Sequence, residues 1–476
     1  MSDAQVCMVA TGRTMEELRR SRDAAERADI VELRLDFVDR PDVAGALAGR
    51  RTPAIVTCRA QWEGGHFQGS EEERRRILDL AIDQGAEYVD VEAAASFAQE
   101  MIARRRGKGL VVSEHVFGPP PADIQQRFAA LRSTGAEIAK LAVQVDSLAQ
   151  MLPMFDIEPE PNGRGRVLIA MGTAGLASRV LAARLGSRWT YAGDGVAPGQ
   201  LSFERLLRDF RFRRISGDAN LYAVVGNPIA HSRSPIMHNA GFDALALNAV
   251  YVPLEARDAE DFVQFARRSG LRGASITAPF KMSLLPYFDE VDSLAQRVGA
   301  VNTLVVRDGR WIGTNTDVAG FLAPLEGRIE LQGARCAVLG AGGAARAVAV
   351  ALVDRGAKVS VCARRSDRAR EIADAVGCDV GEFPPRAGSW DLLVNATPAG
   401  SNADPVDPMG AAPLDGKVVY ELVYAPADTP LLRRATASGC ATIGGIEMLI
   451  AQAERQFELF TGHRPPAGLF KEASAA

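Results

Sequence analysis

Eight short β-rich runs, each followed by a segment of helical periodicity, fill the first 213 or so residues, and this rhythm constrains the fold more than any other feature. The runs are VCMVATG (6–12), IVELRLD (30–36), AIVTCRA (54–60), YVDVEA (88–93), GLVVSEHVF (109–117), IAKLAVQV (138–145), VLIAMG (167–172) and WTYAGD (189–194). Between them, segments such as 14–28 and 71–86 repeat apolar residues at three and four positions. Eight β/α units in this length predict a closed (β/α)₈ TIM barrel, with an open doubly wound sheet as the alternative.

The polar stretch RRISGDANL (213–221) closes this region, and a new strand, YAVVG (222–226), follows it. Further strands are expected near 249–254, 273–278 and 302–307, and a dinucleotide-fold pattern begins at 334. A length of 476 residues suits about three domains. A net charge of −4 gives no electrostatic footprint for nucleic acid or an anionic membrane, so small molecules are the expected partners. The six cysteines are far apart and the five histidines form no ligand cluster. These patterns point to free thiols, no metal site and a cytoplasmic protein, and no sequence feature specifies an oligomer. No run of about 18 apolar residues occurs.

Only six of the 55 basic residues are lysines. Codon bias accounts for the skew, yet guanidinium cannot act as a neutral amine near pH 7, so each lysine position is informative. In a barrel the working residues sit at the C-terminal ends of strands. Glu32, Arg34 and Asp36 alternate along the second run and are expected to share one face at the barrel mouth. Arg59 and His115 end their strands, Glu63 and Arg179 follow theirs, and Lys140 lies within the sixth, so each element offers an ionisable group at the mouth. Lys140, inside the apolar run IAKLAV, reads either as a structural ion pair or as an amine nucleophile served by the proton shuttle His115.

The strings VELRLD, CRAQWEGG, SEHVF, IAKLAV, AMGTAG and APGQ occur in that order over residues 1–214, which resemble type I 3-dehydroquinate dehydratase. The resemblance implies a Schiff base between Lys140 and the substrate ketone, proton transfer by His115, and Glu63 orienting that imidazole. It also implies that Glu32, Arg34, Arg59, Arg179 and Gln200 hold the hydroxyls and carboxylate of 3-dehydroquinate. Val196 stands where the family usually has a lid serine.

In the remainder, RCAVLG (335–340) runs into GAGGAARA (340–347), a G-x-G-x-x-A pattern between strand and helix. Gly340 suits the tight turn, Gly342 the approach of a pyrophosphate, and Ala345 close helix packing, with Ala341, Gly343 and Ala344 completing the turn. Where an NAD site usually places an acidic residue, this chain has Arg364, Arg365 and Arg368, which favour the 2′-phosphate of NADP(H). Asp367 nearby suits a helix N-cap.

GNPIAHSRSP, SITAPFK, GAVNTL, NTD, NATPAG and LVYAPADTPLL join this turn in a resemblance to shikimate dehydrogenase over residues 219–476. By that resemblance, Lys281 and Asp317 handle the proton at the reacting carbonyl. Ser232, Ser234, Thr277, Asn302, Tyr424 and Gln452 contact substrate, and Thr397 and Gly445 belong to the cofactor site. The implied organisation is a barrel over 1–214, a substrate domain over 219–322 and 446–476, and a Rossmann domain over 323–445. Ser275, Pro398 and Glu421 depart from the family pattern, the last two at positions that read as peripheral.

The two implied reactions are consecutive, a lyase step from 3-dehydroquinate to 3-dehydroshikimate and an NADPH-dependent reduction to shikimate. Alternatives are action of the second half on quinate, or a non-catalytic metabolite-binding regulator.

Overall fold

The computed structural model describes residues 4–158, 164–193 and 199–475. The contacts divide the chain into two compact units, Met1–Leu271 and Arg272–Ala476.

In the first unit, β1 (Gln5–Ala10), β2 (Ile30–Arg34), β3 (Ala54–Thr57), β4 (Tyr88–Glu92), β5 (Leu110–Val116), β6 (Ile138–Gln144), β7 (Gly165–Met171) and β8 (Trp189–Ala192) form one parallel sheet. All eight expected strands are present. The ladder runs unbroken from β7 through β6 down to β1 and then β8. At the remaining seam the Arg188 N–H donates to the Arg166 carbonyl at 2.7 Å, which leaves the barrel nearly closed. The open-sheet alternative is excluded.

Alternation within the strands builds this interior in layers. Cys7, Ile30, Ile55, Val111, Ile138, Val167 and Trp189 pack as an apolar cluster. Two residues further along β2, β4, β5 and β6 stand Glu32, Asp90, Ser113 and Lys140, all buried. The same period therefore supplies the core and the chemistry above it. The connecting helices begin as their sequences dictate: Thr14 and Ser70 close capping boxes with Glu17 and Glu73 at the starts of helices Met15–Ala24 and Glu71–Asp83.

Beyond the barrel, β9 (Asn220–Gly226) pairs in parallel with β10 (Ala249–Glu255). Buried Asp261, in helix Ala259–Arg268, accepts the N–H groups of Leu148 (3.1 Å), Ala149 (2.8 Å) and Arg257 (3.0 Å).

In the second unit, β11 (Leu271–Ile276), β13 (Thr303–Arg307) and β14 (Arg310–Thr314) are antiparallel neighbours, and β12 (Glu290–Val291) pairs in parallel with β14. A parallel sheet follows in the order β17-β16-β15-β18-β19-β20, comprising β15 (Arg335–Leu339), β16 (Lys358–Cys362), β17 (Asp379–Gly381), β18 (Leu392–Asn395), β19 (Val418–Glu421) and β20 (Ala441–Ile443). Strand order reverses at β15/β18, the kind of switch point where open α/β sheets bind ligands. Among the described residues no helix is long and apolar enough to cross a membrane.

Candidate active sites

Eight residues expected to serve the barrel site, Glu32, Arg34, Arg59, Glu63, His115, Lys140, Arg179 and Gln200, line one cavity of about 150 Å³. Lys140 Nζ lies 3.0 Å from Asp90, 4.0 Å from Glu32 and 4.5 Å from the centroid of the Tyr191 ring. Glu32 is fixed in turn by the Thr57 hydroxyl at 2.6 Å. His115 Nδ1 meets Glu63 at 2.8 Å, and Glu63 also accepts the His115 backbone N–H.

Burial sets the electrostatics here. Burial, joined by the cations Arg59 and Lys140, holds the His115 imidazole well below its ordinary range. Burial also pushes Glu63 up to about 8; the Glu92 and Asp90 carboxylates add to the shift and Arg59 opposes it. Asp90 moves the other way: Arg59 and Lys140 outweigh its burial and keep it ionised. Burial alone lowers Arg179 to about 10.

Sequence reasoning missed the support beneath these groups. Arg59 binds Asp90 at 2.8 Å, Ser113 at 2.7 Å and Glu92 at 3.1 Å, while fully buried Arg74 pairs with Glu92 from below. The signal was present in YVDVE, whose two acids two residues apart must share the inward face of β4. Asp36 is a correction. β2 ends at Arg34 and the chain turns into a 3₁₀ helix, so Asp36 folds back to grip Arg34 at 2.7 and 2.8 Å and is not among the residues lining the cavity. Val196 lies outside the described residues.

In the second unit, Lys281 Nζ lies 2.5 Å from Asp317, whose other oxygen accepts the Asn302 amide at 2.8 Å. Asn302 is held by Thr303 and Thr316, and Asp317 by the Asn315 side chain. The departure Ser275 donates to Gln456 at 2.6 Å, and Gln456 also donates to the Asn302 carbonyl. Thr277 and Tyr424 are half-buried and Gln452 is buried. In the first unit, Ser232 and Ser234 stand at the start of helix Ser234–Ala244, where the Ser232 hydroxyl accepts the Ser234 N–H.

Gly340, Ala341, Gly342, Arg364, Arg365, Arg368, Thr397 and Pro398 line a cleft of about 620 Å³. Gly340 has φ +114°, as the tight turn requires, and the space where a Cβ on Gly342 would project is empty. The glycine turn and the neighbouring guanidinium groups suit the pyrophosphate and 2′-phosphate of NADP(H). Arg368 pairs with Glu371 at 2.9 Å. Gly343 and Ala344 open helix Gly343–Asp354 and Ala345 is buried in it. The Lys281 stem passes 3.4 Å from the point a Cβ on Gly343 would occupy. Two expectations change. Asp367 is not the N-cap of helix Ser366–Val376, a position held by Arg365. Gly445, at the start of helix Gly445–Thr461, does not line the cleft, and it is required because a Cβ there would meet the Leu422 carbonyl at 2.4 Å.

Family models match in the same order. The type I 3-dehydroquinase model covers residues 6–216, the shikimate dehydrogenase substrate binding domain 224–304, and the shikimate 5′-dehydrogenase C-terminal domain 445–473. The chloroplastic bifunctional 3-dehydroquinate dehydratase/shikimate dehydrogenase of Arabidopsis thaliana is 35% identical over 93% of this chain and 79% of its own length. The chain belongs to the bifunctional 3-dehydroquinate dehydratase/shikimate dehydrogenase family. The NADP(+)-dependent shikimate dehydrogenase of Carboxydothermus hydrogenoformans is 38% identical, over 55% of this chain and 98% of that protein. Two solved structures resemble the dehydrogenase part of this bifunctional chain. That of Aquifex aeolicus shikimate dehydrogenase has TM-score 0.52 and 33% identity, covering 55% of this chain and all of that one. The Thermus thermophilus enzyme in complex with NADP(H) and shikimate has TM-score 0.50 and 39% identity, covering 54% and 98%.

Proposed function

We propose that the chain dehydrates 3-dehydroquinate at the barrel cavity and reduces the resulting 3-dehydroshikimate to shikimate with NADPH in its second half. One observation carries the first assignment: the amine, the imidazole with its carboxylate, and three guanidinium groups converge on a single cavity.

In this reading, Arg34, Arg59, Arg179, Glu32 and Gln200 bind the substrate's carboxylate and hydroxyls. Lys140 adds to the ketone and loses water to give an iminium, an electron sink that acidifies the neighbouring C–H. With Glu63 ionised, the neutral His115 takes that proton at Nε2, because its Nδ1–H then donates to Glu63. Expulsion of the β-hydroxyl, protonated by the same imidazole, forms the double bond. Hydrolysis of the iminium then frees Lys140 and the enone.

For the second step, bound NADPH supplies a hydride to the carbonyl carbon. Lys281, paired with Asp317, donates the proton that the carbonyl oxygen requires, and Asn302 keeps Asp317 oriented. Ser232 and Ser234 are assigned to the substrate carboxylate, and Arg364 and Arg365 to the 2′-phosphate. The free cysteines support a reducing, cytoplasmic setting.

The test is a coupled assay. Supplied with 3-dehydroquinate and NADPH, the chain should oxidise NADPH and accumulate shikimate. Formation of 3-dehydroshikimate with no NADPH consumed would remove the second assignment.

A further inference from the structure

Glu421, at the end of β19, read from sequence as a peripheral departure, yet its side chain is fully buried. Three donors converge on the carboxylate. The Asn395 amide reaches both oxygens at 2.9 and 3.0 Å, the Val423 N–H reaches one at 2.9 Å, and the Thr429 hydroxyl reaches the other at 3.2 Å. No cation pairs with it among the described residues. Burial pushes it up to about 7, and the three donors hold it down.

The contacts lead from this buried acid to the cofactor cleft. Asn395, fixed through its NH₂ group, uses its oxygen to accept the Thr397 N–H at 3.0 Å and the Thr397 hydroxyl at 2.7 Å. Thr397 lines the cleft opposite the glycine turn, its methyl 3.1 Å from where a Cβ on Gly340 would stand. The Asn395 NH₂ also donates to the Ala399 carbonyl at 2.9 Å, so the same amide fixes the loop on both sides of Pro398. The Val423 N–H ties in the loop that carries Tyr424.

We propose that Glu421 is the positioning residue of the cofactor cleft, setting the Thr397–Gly400 wall through Asn395 without touching the cofactor. A carboxylate suits the place because all its neighbours donate. A glutamine must turn its own NH₂ toward the Asn395 NH₂, and Asn395 is then no longer held in its present orientation. The Thr397 loop follows β18 and the Arg364–Arg365 loop follows β16, on opposite sides of β15, so the effect falls on what NADP and NAD share. This inference rests on the reading of the second half as an NADPH-dependent reductase.

The test is direct titration of NADP⁺ and NAD⁺ into the full chain by calorimetry, alongside reductase kinetics, for the parent, Glu421→Gln and Glu421→Asp. Unchanged 3-dehydroquinate dehydration and far-ultraviolet circular dichroism certify folding. Glu421→Gln should weaken both dinucleotides by the same factor, about tenfold, and raise the KM for NADPH more than it lowers kcat. Glu421→Asp keeps the charge and should stay within about threefold of the parent; if the glutamine variant does not fold, Asn395→Leu, which breaks the same relay to Thr397, carries the test and should weaken both dinucleotides alike. If both variants bind both dinucleotides like the parent, or if only thermal stability falls, the proposal is overturned. A parent chain that binds neither dinucleotide would overturn the reductase reading itself.

Discussion

Replacing Glu63 by glutamine probes the dehydratase base most sharply. Glu63 sits 2.8 Å from His115 Nδ1 in a setting where both side chains are largely shielded from solvent. When His115 takes the substrate proton, an imidazolium forms beside this carboxylate. At 2.8 Å and an effective dielectric of about 20, the attraction is about 6 kcal/mol. The amide keeps a neutral hydrogen bond, and Arg59, 3.7 Å from Glu63, already offsets part of the charge, leaving a net loss of about 1.5–3 kcal/mol. Dehydratase kcat should therefore fall by about ten- to 150-fold. The pH profile should move as well. In the parent, Glu63 is raised to about 8 and His115 lies well below its usual range, so the pair binds one proton below about pH 8 and is competent as a base above it. The kcat/KM for dehydration should rise toward a plateau through about pH 8. In the glutamine variant that shared proton is gone, and the limb should shift to below the ordinary histidine range. Initial rates of enone formation across pH, measured for both proteins, provide the assay. A turnover within twofold of the parent, or an unmoved limb, would refute the assignment.

Three other perturbations have defined outcomes. Lys281→Ala should lower reductase turnover by at least a hundredfold while NADP⁺ affinity, read by calorimetry, changes less than threefold. Arg364→Ala should raise the KM for NADPH at least tenfold and leave that for NADH within twofold, because only the former carries the 2′-phosphate. Asp261→Ala strips three backbone N–H groups of a buried acceptor and should cost about 3 kcal/mol, seen as a lower urea midpoint for loss of dehydratase activity.

Periodicity made the barrel legible. Each charge set inside an apolar strand run, such as Lys140 or Glu32, announced itself because an unpaired charge there is costly. The partners were harder to read. Asp90, Glu92 and Arg74 form one buried network only because β4 and helix Glu71–Asp83 pack beside β3, a tertiary fact that no local pattern encodes. Asp36 was misplaced because strict alternation was carried two residues past the end of β2. Ser275 and Glu421 were noticed as departures, but their significance depends on Gln456, 181 residues distant in sequence, and on Asn395, 26 residues distant. The glycine turn at 340–343 and its arginines were legible because their spacing alone specifies backbone geometry and charge.

The claim on which the rest depends is that Lys140 is a covalent catalyst rather than the ion-pair partner of Asp90. Borohydride added during turnover of 3-dehydroquinate should reduce the iminium to a stable secondary amine. Peptide mass spectrometry should then find the substrate-derived adduct on Lys140, with dehydratase activity lost in proportion. An unlabelled Lys140 in protein that remains fully active would contradict the mechanism.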